Sequence, residues 1–246
     1  MRQVLIVHFS QTGQLDRLAQ SVCGPLQQCR DIQLDFLTLQ PAQPYPFPWP
    51  FLGFFRIFPE TVLMRPQPLL PLAVDANKRY DLVILAYQVW FLSPSQPMTA
   101  FLASPEAAKL LKDTPVVTLI GCRNMWLMAQ EKVKKQLTEL GARLVDNIAL
   151  TDACGTAASF LATPLWLFTG RQKPYSWVPR AGIDEAQISA ASRFGVAMRQ
   201  RLTADSLPIA QPMLLGLGAV RIDEKLIASE RVGNRSFQLW SRLLAA

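Results

Sequence analysis

Histidine is almost absent from this chain of 246 residues, in which His8 is the only one. Most zinc sites, the Ser-His-Asp triad and Cys-His nucleophilic chemistry each need a well-placed imidazole. The sequence therefore disfavours all three, and we expect no metal site. We expect any chemistry in this protein to come from a bound cofactor rather than from side chains alone.

Paired cysteines and a secretion signal are also missing. The chain contains no C-x-x-C pair, and its beginning has no hydrophobic stretch followed by a small-residue cleavage site. We therefore expect free thiols and a cytoplasmic, reducing location. The four cysteines are Cys23, Cys29, Cys122 and Cys154.

Charged residues make up only 17% of the chain, and the net charge of +7 is spread thinly. No basic run is longer than Lys134-Lys135. Nucleic-acid-binding proteins usually show a clustered basic face, so we expect no nucleic-acid partner. The uncharged stretch 153–170 contains Pro164 and many small residues. Its hydrophobicity is too low for a transmembrane helix.

Short apolar runs alternate with amphipathic segments along much of the chain. Continuous apolar runs are typical of strands that are covered on both faces. Strands that alternate with helices form a parallel, doubly wound sheet, because each helix packs back onto a face. The sequence thus predicts an α/β domain over residues 1–202, with strands at 4–9, 32–39, 82–86, 116–120 and 143–150 and helices at 15–25, 98–111, 129–140 and 184–202.

Two inserts, 40–79 and 153–182, interrupt this pattern. They hold more than half of the aromatic residues and more than half of the 19 prolines. Proline at this density disfavours long regular elements. Three roles are open for the inserts: an apolar pocket over a substrate, an oligomer interface such as that of a homodimer, or a patch that faces a membrane. Residues 203–246 form a C-terminal extension, which we expect to pack on the same domain.

The loop after the first strand reads Ser10-Gln11-Thr12-Gly13-Gln14 and is followed directly by a helix. Hydroxyl groups, backbone N–H groups and a helix N-terminus together form a phosphate cradle, in which a glycine lets the backbone turn tightly. The same residues are also typical of an ordinary helix cap. From these residues alone, both interpretations stay open.

The segment VLIVHFSQTGQL resembles the FMN-phosphate loop of flavodoxin-like proteins. This resemblance implies a five-stranded parallel sheet with the order 2-1-3-4-5 and FMN as the cofactor. Leu15 stands where the family usually has a threonine, so only its backbone N–H is left to bind. The residues that would hold the phosphate are Ser10, Gln11, Thr12, Gly13, Gln14 and Leu15.

Two further segments resemble the other flavin loops of flavodoxin-like quinone and FMN reductases. In LVILAYQVWFLSPSQPMTAFL, either Trp90 or Phe91 would lie against the isoalloxazine ring, with Gln88 and Val89 near its edge. In VVTLIGCRNMW, the loop would reach the pyrimidine side. A positive side chain there favours the anionic reduced flavin. The residues implied are Gln88, Val89, Trp90 and Phe91 in one loop, and Gly121, Cys122, Arg123 and Asn124 in the other.

The chain as a whole resembles the flavodoxin-like enzymes of bacterial dialkylresorcinol biosynthesis. This resemblance implies a flavin-dependent oxidoreductase that oxidises a dialkyl-cyclohexane-1,3-dione to a dialkylresorcinol. Such a small, hydrophobic substrate with long alkyl chains would explain the apolar inserts. Candidates for the base that removes a ring proton are Tyr87, Asp152, Tyr175 and His8.

Two other functions stay open. One is an NAD(P)H-dependent quinone or FMN reductase, and the other is a flavodoxin-like interaction or membrane-surface protein without enzymatic activity. Peripheral contact with a membrane is compatible with all three functions, because the apolar inserts carry basic residues at their borders. These residues are Arg56, Arg65, Arg171 and Lys173.

Overall fold

Five parallel strands form the central sheet of the protein. The computed structural model describes residues 1–152, 156–204, 209 and 211–245, with the backbone alone for 156–160. A sixth strand of two residues pairs with one of the five in the antiparallel sense. The strands are β1 (Arg2–His8), β2 (Ile32–Thr38), β3 (Leu82–Trp90), β4 (Ser93–Pro94), β5 (Pro115–Cys122) and β6 (Arg143–Thr151).

Helices flank both faces of the sheet. They are α1 (Gln14–Gln27), α2 (Phe51–Arg56), α3 (Phe58–Val62), α4 (Gln96–Leu102), α5 (Pro105–Leu111), α6 (Leu127–Glu139), α7 (Thr156–Thr169), α8 (Glu185–Ala190), α9 (Ser192–Thr203) and α10 (Glu224–Leu244).

The strands follow the order β2-β1-β3-β5-β6, and β4 pairs only with β3. When the five main strands are counted along the chain, this order is 2-1-3-4-5. That is the order of the flavodoxin-like, doubly wound sheet. The predicted fold class is therefore confirmed.

Side chains of the strands point alternately into two hydrophobic cores. Val4 and Ile6 of β1 belong to the core that α1, α8 and α9 cover. Leu5 and Val7 belong to the core beneath α4, α5 and α6. This burial on both faces explains why β1 reads as a continuous apolar run.

Helix α1 extends beyond its predicted end at Gly24-Pro25. Pro25 lies inside the helix, which continues to Gln27, because a proline in the last turn removes only one backbone hydrogen bond. Helix α9 packs closely on this turn. A Cβ on Gly195 would lie 1.9 Å from the carbonyl oxygen of Val22, so only a glycine fits there.

Two predicted helices are each divided in two. The segment 98–111 breaks before α5, where the Ser104 hydroxyl accepts a hydrogen bond from the Ala107 N–H and Pro105 opens the new helix. Such a cap begins a helix, and proline is well tolerated in its first turn. The segment 184–202 is interrupted at Ala191, which separates α8 from α9.

The first insert contains only the short helices α2 and α3, as its proline content predicts. The second insert differs from the prediction, because α7 is a helix of 14 residues with Pro164 in its interior. Among the helices of the described residues, none combines the length and the apolar character that crossing a bilayer requires.

The C-terminal extension contacts the sheet and the first insert. The Met213 N–H donates to Asp146 Oδ2 over 2.5 Å, and the Ala149 N–H of the edge strand β6 donates to the Ala219 carbonyl over 2.8 Å. Further along, α10 packs on α3 and α6. We propose that residues 1–202 and the extension fold as one domain, which these contacts support.

Candidate functional site

A cavity of about 160 Å³, partly open to solvent, lies at the carboxyl ends of β1, β3, β5 and β6. Doubly wound sheets bind their ligands at this edge. Both inserts border the cavity together with the loops after the strands. Its lining consists of Gln11, Thr12, Gln14, Leu15, Phe47, Gln88, Val89, Trp90, Gly121, Cys122, Arg123, Asp152, Thr163, Trp166, Leu167, Gly182 and Ile183.

The loop after β1 leaves the N-terminus of α1 open. Gly13 adopts a left-handed conformation with φ of 75°, and no side chain of the described residues caps the helix. A side chain on Gly13 would meet no other atom, so its backbone conformation is what favours glycine. Ser10 Oγ is buried and has no hydrogen-bond partner among the described residues. An open helix start beside a free hydroxyl suits an anion.

The two glutamines of this loop bind the inserts. Gln11 Nε2 donates to the Pro46 carbonyl over 2.8 Å, and Gln11 Oε1 accepts from Trp49 Nε1 over 3.1 Å. Gln14 exchanges two hydrogen bonds with the backbone of Ile183, over 3.2 and 3.1 Å. The side chains of Gln11 and Gln14 therefore fix the inserts, and only their backbone N–H groups are left for a phosphate.

Trp90 is the aromatic side chain of the second loop that lines the cavity. Its ring contacts Tyr45 and Trp49 of the first insert in edge-on geometry, at centroid distances of 5.1 and 6.1 Å. Phe91, predicted as an alternative to it, does not line the cavity. Phe91 has a positive φ of 50°, and its ring packs on Phe54 at 4.6 Å.

Gln88 and Val89 line the cavity beside Trp90. Gln88 Oε1 is buried, with no hydrogen-bond partner among the residues that the structure describes. The same is true of Asn124 Oδ1 in the third loop, although Asn124 does not line the cavity. Two buried acceptors near the cavity therefore require donors from a ligand or from water.

Three residues of the third loop, Gly121, Cys122 and Arg123, line the cavity. A Cβ on Gly121 would lie 3.2 Å from a Leu15 methyl group and 3.4 Å from one of Ile183. Glycine thus permits three loops to meet here. Burial raises the pKa of the Cys122 thiol, and the nearby carboxylates of Glu230 and Asp152 raise it further. The thiol is therefore protonated and poorly nucleophilic.

Asp152 is the one acidic residue among the described residues that line the cavity. Its backbone N–H donates to the carbonyls of Cys122 and Arg123, over 3.1 and 2.9 Å. Its Oδ2 accepts a hydrogen bond from Thr163 Oγ1 of α7 over 3.3 Å. Asp152 is held between the third loop and the second insert, with its carboxyl group at the cavity.

The other three candidate bases do not line the cavity. Tyr87 is fully buried and donates to Gln130 Oε1 over 2.5 Å, as part of a polar chain that continues to Thr118. His8 lies between Asp16 and Thr38, at 2.8 and 2.9 Å.

Tyr175 lies on the surface. It is 53% exposed, and its ring stacks on that of Trp177. Of the four candidates for a base, only Asp152 is in a position to meet a ligand.

Phe47, Thr163, Trp166, Leu167, Gly182 and Ile183 line the cavity although sequence reasoning did not single them out. All six belong to the inserts or to their ends. The aromatic and proline content of the two inserts indicated that these segments approach the site. Which side chains turn inward depends on tertiary contacts, such as the Trp49 N–H that donates to the Leu167 carbonyl over 2.9 Å. Within the described ranges, no three His, Cys, Asp or Glu side chains come together to hold a metal.

No protein-family model matches the chain, and no curated protein matches it. Among solved structures, a flavoprotein from Lactobacillus acidophilus in complex with FMN is similar over 60% of this chain and 92% of its own, with a TM-score of 0.47 and 14% identity. A flavodoxin from the domain Archaea is similar over 83% of this chain and 100% of its own (TM-score 0.45, 8% identity). A WrbA-like flavodoxin from Agrobacterium tumefaciens covers 81% of this chain and 99% of its own (TM-score 0.42, 12% identity). The observed strand order, and not these likenesses, assigns the flavodoxin-like fold.

Proposed function

We propose that the protein binds FMN in this cavity and is a flavin-dependent oxidoreductase for a hydrophobic substrate. The observation that carries the proposal is the cavity itself. It lies where a sheet of this order binds its ligands, and apolar side chains from both inserts close over it. The FMN-bound flavoprotein from Lactobacillus acidophilus shows a ligand of this kind in a similar protein.

The phosphate of FMN fits the loop after β1. The first N–H groups of α1 have no partner within the helix, and an anion is stabilised there. The hydroxyls of Ser10 and Thr12 lie in the same loop, and Ser10 Oγ is free to donate. Because the Gln11 and Gln14 side chains are engaged elsewhere, we assign the phosphate to backbone N–H groups and these two hydroxyls.

The ring of FMN fits the second and third loops. Trp90 offers an aromatic surface, and the unpartnered acceptor of Gln88 suits the polar edge of a ring. Arg123, at the cavity, would stabilise negative charge on the pyrimidine side. Bound there, FMN would supply two-electron redox chemistry.

The substrate we propose is a hydrophobic cyclic ketone or a quinone-like compound. The specific reaction is the oxidative aromatisation of a dialkyl-cyclohexane-1,3-dione to a dialkylresorcinol, in which the ring loses two electrons and two protons. Phe47, Trp166 and Leu167 would surround the alkyl chains. Asp152 would accept the acidic ring proton, since it is the carboxylate at the cavity. An external acceptor such as dioxygen would take the electrons.

Anaerobic reduction of the FMN-loaded protein tests this proposal. Loss of flavin colour with an alkyl cyclohexanedione but not with NADPH supports it. Loss of colour with NADPH alone would favour the quinone or FMN reductase instead. If the protein is colourless and does not bind added FMN, both enzymatic functions are excluded. The remaining function is then that of a flavodoxin-like interaction protein without enzymatic activity.

The role of Asp152 can be tested separately. We expect Asp152→Asn to slow reduction by the dione about 100-fold or more, because a positioned base contributes about this much to proton transfer. FMN affinity should be unchanged. Asp184→Asn, which changes an exposed carboxylate outside the cavity, is the matched control. Equal rates for Asp152→Asn and the wild type would exclude Asp152 as the base.

A further inference from the structure

The outer face of α10 is apolar near its C-terminal end. Leu239, Trp240, Leu243 and Leu244 are exposed by 60, 56, 61 and 66%. Large exposed apolar patches on soluble proteins commonly mark interaction sites. These four side chains follow one another within six residues, so they form one continuous surface at the end of the helix.

The opposite face of α10 is firmly attached to the protein. Glu230 is buried and accepts a hydrogen bond from the Met128 N–H at the start of α6 over 2.7 Å. Phe237 contacts Phe58 of α3 at a centroid distance of 5.3 Å. The exposed apolar side chains therefore belong to a docked helix, whose inner face already has its partners.

The outer face of α10 is also positively charged. Lys225, Arg231, Arg235 and Arg242 are exposed, and none of them forms an ion pair within the described part of the chain. The helix has acidic residues only at its first position and at Glu230, which is buried. Its exposed surface beyond the first turn is thus cationic, with apolar side chains at one end.

Helix α2 presents a second surface of the same kind. Phe51, Leu52 and Phe55 are 63, 70 and 48% exposed, and Arg56 is exposed beside them. Two exposed phenylalanine rings and an exposed leucine on a helix of six residues are costly in water.

Ring contacts connect α2 with α10. They run from Phe54 to Phe91 at 4.6 Å, from Phe91 to Phe58 at 5.1 Å, and from Phe58 to Phe237 at 5.3 Å. The exposed side chains of α2 and α10 therefore stand at the two ends of one packed aromatic row. We call the exposed residues of α2 and of 231–244 the docking face.

We propose that the docking face binds the surface of an anionic lipid bilayer. Tryptophan and leucine side chains insert at the boundary between headgroups and acyl chains, while arginine side chains reach lipid phosphates. Cationic side chains near an anionic bilayer each add to the attraction.

A second copy of the chain is a poorer occupant of this surface. In a two-fold symmetric dimer the same face meets itself, so the arginines of one α10 would lie opposite those of the other. Like charges at such an interface repel. An anionic bilayer complements the same charges.

Docking would bring the cavity close to the bilayer. Phe51 and Phe54 of α2 contact Phe168 of α7, at 5.4 and 5.7 Å, and Trp166 of the same helix lines the cavity. The membrane proposal itself does not depend on FMN or on the substrate.

Flotation of the full chain with lipid vesicles tests the proposal. We expect the protein to float with phosphatidylcholine vesicles that contain 30% phosphatidylglycerol, and much less with phosphatidylcholine alone. Arg235→Glu with Arg242→Glu should weaken binding by about 30-fold or more, from the contribution of each cationic side chain near the surface. Trp240→Ser with Leu243→Ser should weaken it to a similar degree.

Matched controls exclude general effects of charge and hydrophobicity. Lys109→Glu with Lys112→Glu makes the same charge change at the C-terminal end of α5, and Trp177→Ser with Leu215→Ser removes apolar groups that are at least as exposed. Both controls should float like the wild type, and circular dichroism should show all variants folded. The proposal is overturned if the wild type does not float, if the controls lose as much binding, or if light scattering shows a dimer that only the α10 variants dissociate.

Discussion

The central sheet and the two inserts are held in place by different kinds of contact. Side chains of the sheet alternate between two apolar cores, and each flanking helix adds a repeated apolar face. The inserts are fixed to the loop after β1 by single polar side chains, Gln11 on one insert and Gln14 on the other. The sheet should therefore respond most to changes of volume, and the inserts to the loss of one hydrogen-bonding group.

The largest effect is expected in the sheet domain, at the contact between α1 and α9. Gly195→Ala should lower the free energy of unfolding by roughly 3 kcal/mol or more, because its Cβ would overlap the carbonyl oxygen of Val22. Urea unfolding measures this change. The control is Gly53→Ala in α2, where a Cβ would make only ordinary contacts of 3.6–3.7 Å with Pro50; it should raise stability by about 0.5–1 kcal/mol. Similar effects of the two variants would contradict the tight contact.

A smaller effect is expected where the extension joins the sheet domain. Glu230→Ala should cost about 2 kcal/mol, because it leaves the partly buried N–H groups of Leu127 and Met128 at the start of α6 without an acceptor. Glu230→Gln keeps an acceptor oxygen and should cost less than half as much in the same unfolding experiment. If the alanine and glutamine variants were equally stable, the hydrogen bond would not be what holds α10.

The second insert should depend on Gln14. Gln14→Leu removes both hydrogen bonds to Ile183 and should cost about 1–2 kcal/mol. Hydrogen exchange should show faster exchange at the Ile183 amide but not in β3 or β5. Gln11→Leu is the comparison for the first insert; its partners are more exposed, so we expect a smaller loss. Unchanged exchange at Ile183 would contradict the anchoring role of Gln14.

The smallest effect on stability is expected from the charge of Lys132, a side chain of α6 that contacts the first insert. Burial lowers the pKa of Lys132 from 10.5 to about 8, and its Nζ donates to Ser93 Oγ over 2.6 Å and to the Val62 carbonyl over 3.4 Å. Between pH 8 and 10 the unfolded chain keeps this proton and the folded protein loses it. Stability should therefore rise with pH in this window, by about 1 kcal/mol per pH unit.

Lys132→Met should lack this increase, and Lys134→Met should keep it, since Lys134 is exposed on the same helix. The measurement is the free energy of unfolding of each variant at several pH values from 7 to 10. If the two variants and the wild type show the same pH dependence, Lys132 is not the titrating group.

Much of the sheet could be predicted from the sequence, because strands buried on both faces leave continuous apolar runs. β1, β3 and β5 appear in this way, and the edge strand β2 shows the alternation of a half-exposed strand. Helix ends were harder to predict. Ser104-Pro105 begins a new helix inside a periodic segment, and Pro164 lies within α7. Local patterns do not reveal whether surrounding contacts compensate for a proline.

The candidate site could be predicted at the level of loops but not always of side chains. Thr12, Trp90 and Arg123, which the motifs predict to bind FMN, line the cavity. Phe91 does not, because its positive φ turns the ring toward α2. Tyr87 lies on β3, and its hydroxyl group has its hydrogen-bond acceptor, Gln130, inside the core. No sequence motif indicates this partner. The positions of these two side chains depend on the local backbone direction and on partners that are distant in the sequence.

Titration of the flavin-free protein with FMN and, in parallel, with riboflavin tests the central claim most directly. The two ligands share the ring and differ in the phosphate, so their comparison isolates the loop after β1. We expect FMN to bind at least about 100-fold more tightly than riboflavin, since charge-assisted hydrogen bonds to a phosphate contribute several kcal/mol together. Thr12→Val with Gly13→Val should remove most of this difference. Failure of FMN to bind, or equal affinity for the two ligands, would contradict the assignment of the cavity to FMN.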